Sequence, residues 1–175
     1  MSKDKISFRP APEVKVIADE LIPKYHQHLK DFSVRVEYIF VSKTPKSKGM
    51  EVWGTCEKVT GKKAYLAREN EDADPFFVIT ISEPVWEILP QESKVALVDH
   101  ELCHAYAEVK QQKEEAESDE DMETDNPVKL STQPHDLEEF SCIVRRHGLW
   151  RENVEDFVNA ALKQKEEKKN AGRPV

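Results

Sequence analysis

The chain has no run of about 18 apolar residues, so it predicts no membrane-spanning helix. Its start, MSKDKISFRPAPEVK, lacks the apolar stretch of a secretory signal, which predicts a cytoplasmic protein. Cysteine is scarce: Cys56, Cys103 and Cys142 are an odd set without CxxC spacing. That pattern predicts reduced thiols in a reducing compartment rather than a disulfide framework. There are no internal repeats. Positive charge is in the minority, with 26 Lys and Arg against 34 Asp and Glu and a net charge of −8. This argues against a broad electrostatic footprint on nucleic acid, though it leaves room for a local basic patch.

What is present is a well-charged but foldable composition, 38% hydrophobic and 34% charged over 175 residues. The length predicts one domain over residues 1–150, with a C-terminal helix and frayed tail over 151–175. Residues 11–30 show helical spacing (Val14, Ile17, Ala18, Leu21, Tyr25, Leu29), interrupted near Pro23. SVRVEYIFVS (33–42) alternates as a strand, and KTPKSKG (43–49) predicts a turn. EVWGTCEKV (51–59) and AYLARE (64–69) predict two further strands, NEDADP (70–75) a loop, and PFFVITIS (75–82) the strongest strand. PVWEIL (84–89) predicts a short helix with Pro84 in its first turn.

Residues 91–112 predict the clearest helix, with Val95, Val98, Leu102, Ala105 and Val109 as an apolar stripe. Between Glu114 and Asp125, eight of twelve residues are acidic, so residues 113–126 predict a solvated insert that buries nothing. The glycine and ligand spacing of an EF-hand loop are missing there, which excludes that calcium site. Order resumes at VKLST (128–132). A helix from Pro134 to His147 stops at Gly148, and a last helix begins near Arg151 and frays after Lys163. The order predicts an α+β fold, a small antiparallel or mixed sheet followed by helices.

The chemistry lies in VDHELCHAYAE (98–108). On a helix, positions four apart share a face, so His100 and His104 can hold one metal ion through neutral imidazoles. Glu101 sits one residue round, at the edge of that face, where its carboxylate can act as general base toward a metal-activated water. This is the content of the HExxH pattern. One Zn2+ per chain is the expected cofactor, and zinc in a catalytic site wants three protein ligands.

The third ligand has several candidates. His26 and His28 sit near the end of the first helix, where exposed histidines are ordinary, and His147 suits a helix C-terminus. His135 opens the helix PHDLEEFSCIVRRHG and can aim into a neighbouring cleft. Glu139 lies four residues on and shares its face. Either His135 ligates with Glu139 behind it, or Glu139 ligates and His135 steadies an oxyanion; Glu138 replaces Glu139 if the helix is turned. Cys103 is expected to point away from the ligand face as a packed thiol, Tyr106 to be core, and Trp53, Trp86 and Trp150 to be core anchors.

LVDHELCHAY, a variable insert and HDLEEFSCIVRRHGLW, preceded by VWGTCEKVTGKKAYLA and PFFVITISEPVWEILP, resemble the metallopeptidase domain family of bacteriophage and prophage proteins. The resemblance covers about residues 8–150 and places the protein in the host cytoplasm if it is phage-encoded. More distantly the pattern is similar to SprT-like proteases, in which a third histidine follows HExxH near an aromatic, as His135 does Phe140. The resemblance implies a zincin-like fold with an edge strand, Phe77 to Ser82, bordering the cleft. It favours His135 as third ligand and a zinc metallopeptidase acting on an extended peptide or protein. The chain departs from the family in its unusually long, low-complexity acidic insert over 113–126, and from SprT-like proteases in lacking the basic module that brings them to DNA. Two other functions remain open: a non-catalytic zinc-stabilised protein-binding module of phage origin, and a SprT-like protease acting on DNA-associated proteins.

Overall fold

The computed structural model describes residues 5–67, 74–109, 128–135, 144–146, 148–149 and 152–171. The chain divides into two compact units, Met1–Gln133 and Pro134–Val175. The first is built on a four-stranded mixed sheet of β1 (Phe8–Pro10), β2 (Val36–Val41), β5 (Gly54–Val59) and β6 (Phe76–Ser82), in the order β1-β2-β6-β5. β2 and β6 run parallel, whereas β1 and β5 are antiparallel to their neighbours. The fold is therefore α+β, with a mixed sheet.

β6 is central because both its faces are largely covered. Phe77, Ile79 and Ile81 are fully buried on one side and Phe76 is buried on the other. A strand covered on both faces is expected to be a near-continuous apolar run, and FFVITIS is one apart from Thr80 and the terminal Ser82. This corrects the expectation that Phe77–Ser82 borders the cleft. β6 is paired on both edges, and among the described residues the outer strand on that side of the sheet is β5.

Helix α1 (Pro12–Tyr25) starts with proline in its first turn and carries Pro23 in its last. Pro23 lacks an N–H and crowds the preceding turn, and the helix ends two residues later, at Tyr25. His26 takes a non-helical backbone (φ −126°, ψ 45°), and α2 (Gln27–Asp31) follows. Within the expected turn, β3 (Lys46–Ser47) and β4 (Met50–Glu51) form a small hairpin closed by Lys48 and Gly49, both at positive φ. That is the backbone a two-residue hairpin turn requires.

Two assignments change. Residues 61–66, expected in part as a strand, form α3 (Gly61–Leu66). Its Ala64 packs with Val59 and Phe76 beneath the sheet, while Tyr65 and Leu66 are exposed, so one small residue anchors a helical turn. After α4 (Glu83–Ile88), helix α5 (Gln91–His104) ends eight residues earlier than periodicity suggested. Ala105–Val109 is instead strand β7, paired antiparallel with β8 (Val128–Thr132). Ala105 and Ala107 are buried and Tyr106 and Glu108 are not, a period of two that only a strand produces.

One core joins these elements. Val14, Ala18 and Leu21 of α1, Val98 and Leu102 of α5, and Ala105, Ala107 and Leu130 of the β7–β8 pair pack on Tyr38, Phe40, Phe77, Ile79 and Ile81 of the sheet. In the second unit Val144–Arg146 are helical, and Gly148 (φ +69°) donates its N–H to the Val144 carbonyl at 2.9 Å, the expected helix stop. Helix α6 (Glu152–Ala171) follows, its regular backbone continuing well past Lys163. Glu and Lys at three- and four-residue spacing, such as Lys163 with Glu166 and Glu167, favour that extension. The acidic insert, and most of the helix expected over 134–147, lie outside the described residues.

Ile79 is fully buried at the centre of the sheet, whereas Ile88 is exposed. Ile79→Ala is expected to cost about 2–5 kcal/mol in chemical denaturation, and Ile88→Ala less than about 0.5 kcal/mol. Equal losses would mean that the sheet is not the seat of the core.

Candidate metal centre

α5 has three functional stripes. Val98 and Leu102 are fully buried against the sheet. A helix turns about 100° per residue, so Glu101 falls between that apolar stripe and the His100/His104 pair. The structure brings these two histidines together, with ring centroids 5.1 Å apart and planes at 83°. One ring nitrogen of each lies within 4.8 Å of one on the other, close enough for both to hold one ion.

His104 is the last residue of α5, and the chain returns to it through β8. The Gln133 N–H donates to the His104 carbonyl at 2.9 Å. The His104 Nδ1 in turn lies 2.7 Å from the Gln133 carbonyl oxygen. A carbonyl oxygen only accepts, so Nδ1 must carry the proton and donate it. Nε2 of the neutral ring is then the unprotonated nitrogen, the form a metal requires. The early end of α5, unexpected from sequence, is what allows this arrangement.

Glu101 is 3% exposed, and its Oε2 has no hydrogen-bond partner among the described residues. A buried carboxylate oxygen without a donor is costly and calls for an explanation. Burial pushes the Glu101 carboxyl up to about 7, and the charge of His104 pulls it back only in part. The same burial, helped by the Glu101 charge, pushes the Cys56 thiol up to about 12.

Gly54 makes the position of Glu101 possible. Gly54 and Cys56 pair with Ile81 and Ile79, so they lie on the sheet face toward α5. A methyl group at Gly54 would stand 2.5 Å from Glu101 Oε1 and 2.8 Å from its Cδ. The carboxyl therefore rests on bare backbone of the edge strand. Sequence reading missed Gly54, although an isolated glycine inside a strand pattern is a recognised sign of close backbone approach.

Other expectations shift. His26 is buried, not exposed, with Nε2 2.7 Å from Asp99 Oδ1. His28 is half-buried; its Nε2 donates to the Ala105 carbonyl at 3.1 Å and its ring packs on Tyr106. Cys103 is exposed rather than packed. Trp86 is buried as expected, but Trp53 is 47% exposed. His135 is an exposed residue of irregular backbone at the start of the second unit. Asp136, Glu138, Glu139, His147 and Trp150 lie outside the described residues.

Among known proteins, residues 6–162 match the model of a family described as "Putative phage metallopeptidase". No curated protein and no solved structure matches the chain.

The buried Glu101 makes a pH prediction for protein stripped of metal by a chelator. Its folded-state pKa, about 7, exceeds the usual carboxylate value of about 4.3. Below the usual value both states hold the proton and there is no penalty. As pH rises toward 7 the unfolded chain releases its proton first, so folding loses stability, and above 7 the loss is constant. Glu101→Gln removes that loss. The metal-free variant should gain on wild type from acid to neutral pH and then keep a steady advantage, read from denaturation midpoints. A pH-independent difference would show that the carboxyl is not desolvated.

Proposed function

The chain belongs to the putative phage metallopeptidase family, and from that premise we propose that it is a zinc-dependent peptidase with Glu101 as general base. The observation that carries the reading is the joint arrangement of His104, held in the ligating tautomer by Gln133, and, one turn away, the buried Glu101 carboxylate whose Oε2 has no hydrogen-bond partner among the described residues. A donor set of neutral imidazoles suits zinc, and a base beside it needs a protonatable oxygen unclaimed by other donors.

His100, His104 and His135 would hold the ion. Gln133 is pinned to His104 at both its N–H and its carbonyl. His135 is only two residues further, at most about 7 Å of extended chain. Glu138 and Glu139 are the alternatives, with a longer tether. When bound, zinc supplies Lewis acidity toward water and the scissile carbonyl. Glu101 takes the proton from the attacking water and passes it to the leaving amine. Burial against Gly54 limits where that carboxyl can swing.

The substrate class follows from the edge strand. Among the described residues β5 pairs within the sheet with β6 alone, and Gly54 and Cys56 lie beside Glu101. An extended peptide can add to such an edge through main-chain hydrogen bonds, which would carry it past the base.

Elemental analysis and cleavage of a peptide library test this together. Glu101→Gln should keep the metal and lose at least about 100-fold in kcat. Gly54→Ala should also keep the metal and lower kcat more than it raises KM, because it displaces the base. Metal-bound wild type that cuts no peptide would leave a zinc-stabilised binding module instead. For the third ligand, His135→Ala should lose the zinc and Glu139→Ala should retain it. The reverse pattern would make the site two histidines and a carboxylate.

A further inference from the structure

α5 carries a second pair of potential ligands at four-residue spacing. Asp99 and Cys103 precede His100 and His104 by one residue each, so they occupy the neighbouring flank of the helix, about 100° away. His26 meets them there. It stands at the break between α1 and α2, is 4% exposed, and has its Nε2 2.7 Å from Asp99 Oδ1. The donor atoms of His26, Asp99 and Cys103 all lie within 4.8 Å of one another.

We propose that His26, Asp99 and Cys103 form a second metal site, for a thiolate-accepting divalent ion of the zinc class, separate from the HExxH pair. The donors are an imidazole nitrogen, a carboxylate oxygen and a sulfur. With Cys103 as thiolate they contribute two negative charges to balance a divalent cation, and this mixed set suits zinc. Tetrahedral zinc with bonds of about 2.0–2.3 Å spaces its ligand atoms roughly 3.3–3.8 Å apart. The His26–Asp99 distance of 2.7 Å lies below that range and all three donor atoms lie within 4.8 Å of one another, so shifts of about an ångström would close the site. His26 forms the buried wall, whereas Asp99 is half-exposed and Cys103 exposed, leaving the outer side open to a water ligand.

A hydrogen-bonded His26–Asp99 pair alone would not need sulfur within reach of both. The break after Pro23, which turns His26 out of helical geometry, brings the third donor to the helix face. Metal here would tie the α1–α2 corner to α5, on the flank beside the histidine pair. This inference does not depend on peptidase activity.

Cobalt(II) titration of the full chain tests it, because a cysteine thiolate bound to cobalt produces a near-ultraviolet charge-transfer band and histidine ligands do not. The band is expected in wild type and in Cys142→Ser, and should be lost in Cys103→Ser and weakened in Asp99→Asn. In His100→Ala/His104→Ala it should persist and saturate at one equivalent. Cys103 is exposed, so its substitution leaves folding intact, and circular dichroism verifies this. Should the double histidine variant misfold, wild type against Cys103→Ser still decides the matter. A wild type without the band, or a band that survives Cys103→Ser, would overturn the proposal.

Discussion

The site depends on one close approach, the carboxyl of Glu101 laid against the backbone of β5 at Gly54. α5 can lie near the sheet because Val98 and Leu102 fill the core, and Glu101 is carried in beside them. Any side chain at position 54 would collide with the carboxyl. The result is an acid with one oxygen lacking a hydrogen-bond partner among the described residues and a raised pKa, a combination that burial penalises and that a purely structural role does not require.

A second constraint is the end of α5 at His104. Continuing the helix would have sent Ala105 and Tyr106 round the cylinder and left β8 without a partner. Strand pairing of β7 with β8 instead buries Ala105, Ala107 and Leu130. It also brings Gln133 back to His104, where one residue satisfies a terminal carbonyl and orients the imidazole. The β7–β8 pairing thus joins the end of the helix to the orientation of an imidazole in a single contact pair.

The two flanks of α5 extend the same logic. One helix, with donors at four-residue spacing in two adjacent columns, presents His100/His104 on one side and Asp99/Cys103 on the other. What completes each column comes from a different part of the chain: the Gln133 return for the first, and the His26 corner for the second.

From its residues alone the sequence determined the α+β class, the existence of a strand over residues 75–82, the α1 interruption near Pro23 and the HELCH spacing. These are local or periodic signals: apolar runs, a missing proline N–H, and a helical pitch that aligns residues four apart. Only the tertiary structure decided that β6 is interior and β5 the edge, since a doubly buried run does not reveal which neighbours cover it. It alone decided that Ala105–Val109 is a strand, because the partner that outweighs helical periodicity lies beyond the acidic insert. The roles of Gly54 and His26 were likewise hidden, one having no side chain to interpret and the other sitting 73 residues from its partner Asp99. Contacts between segments that distant are set by packing, and packing is not written in local spacing.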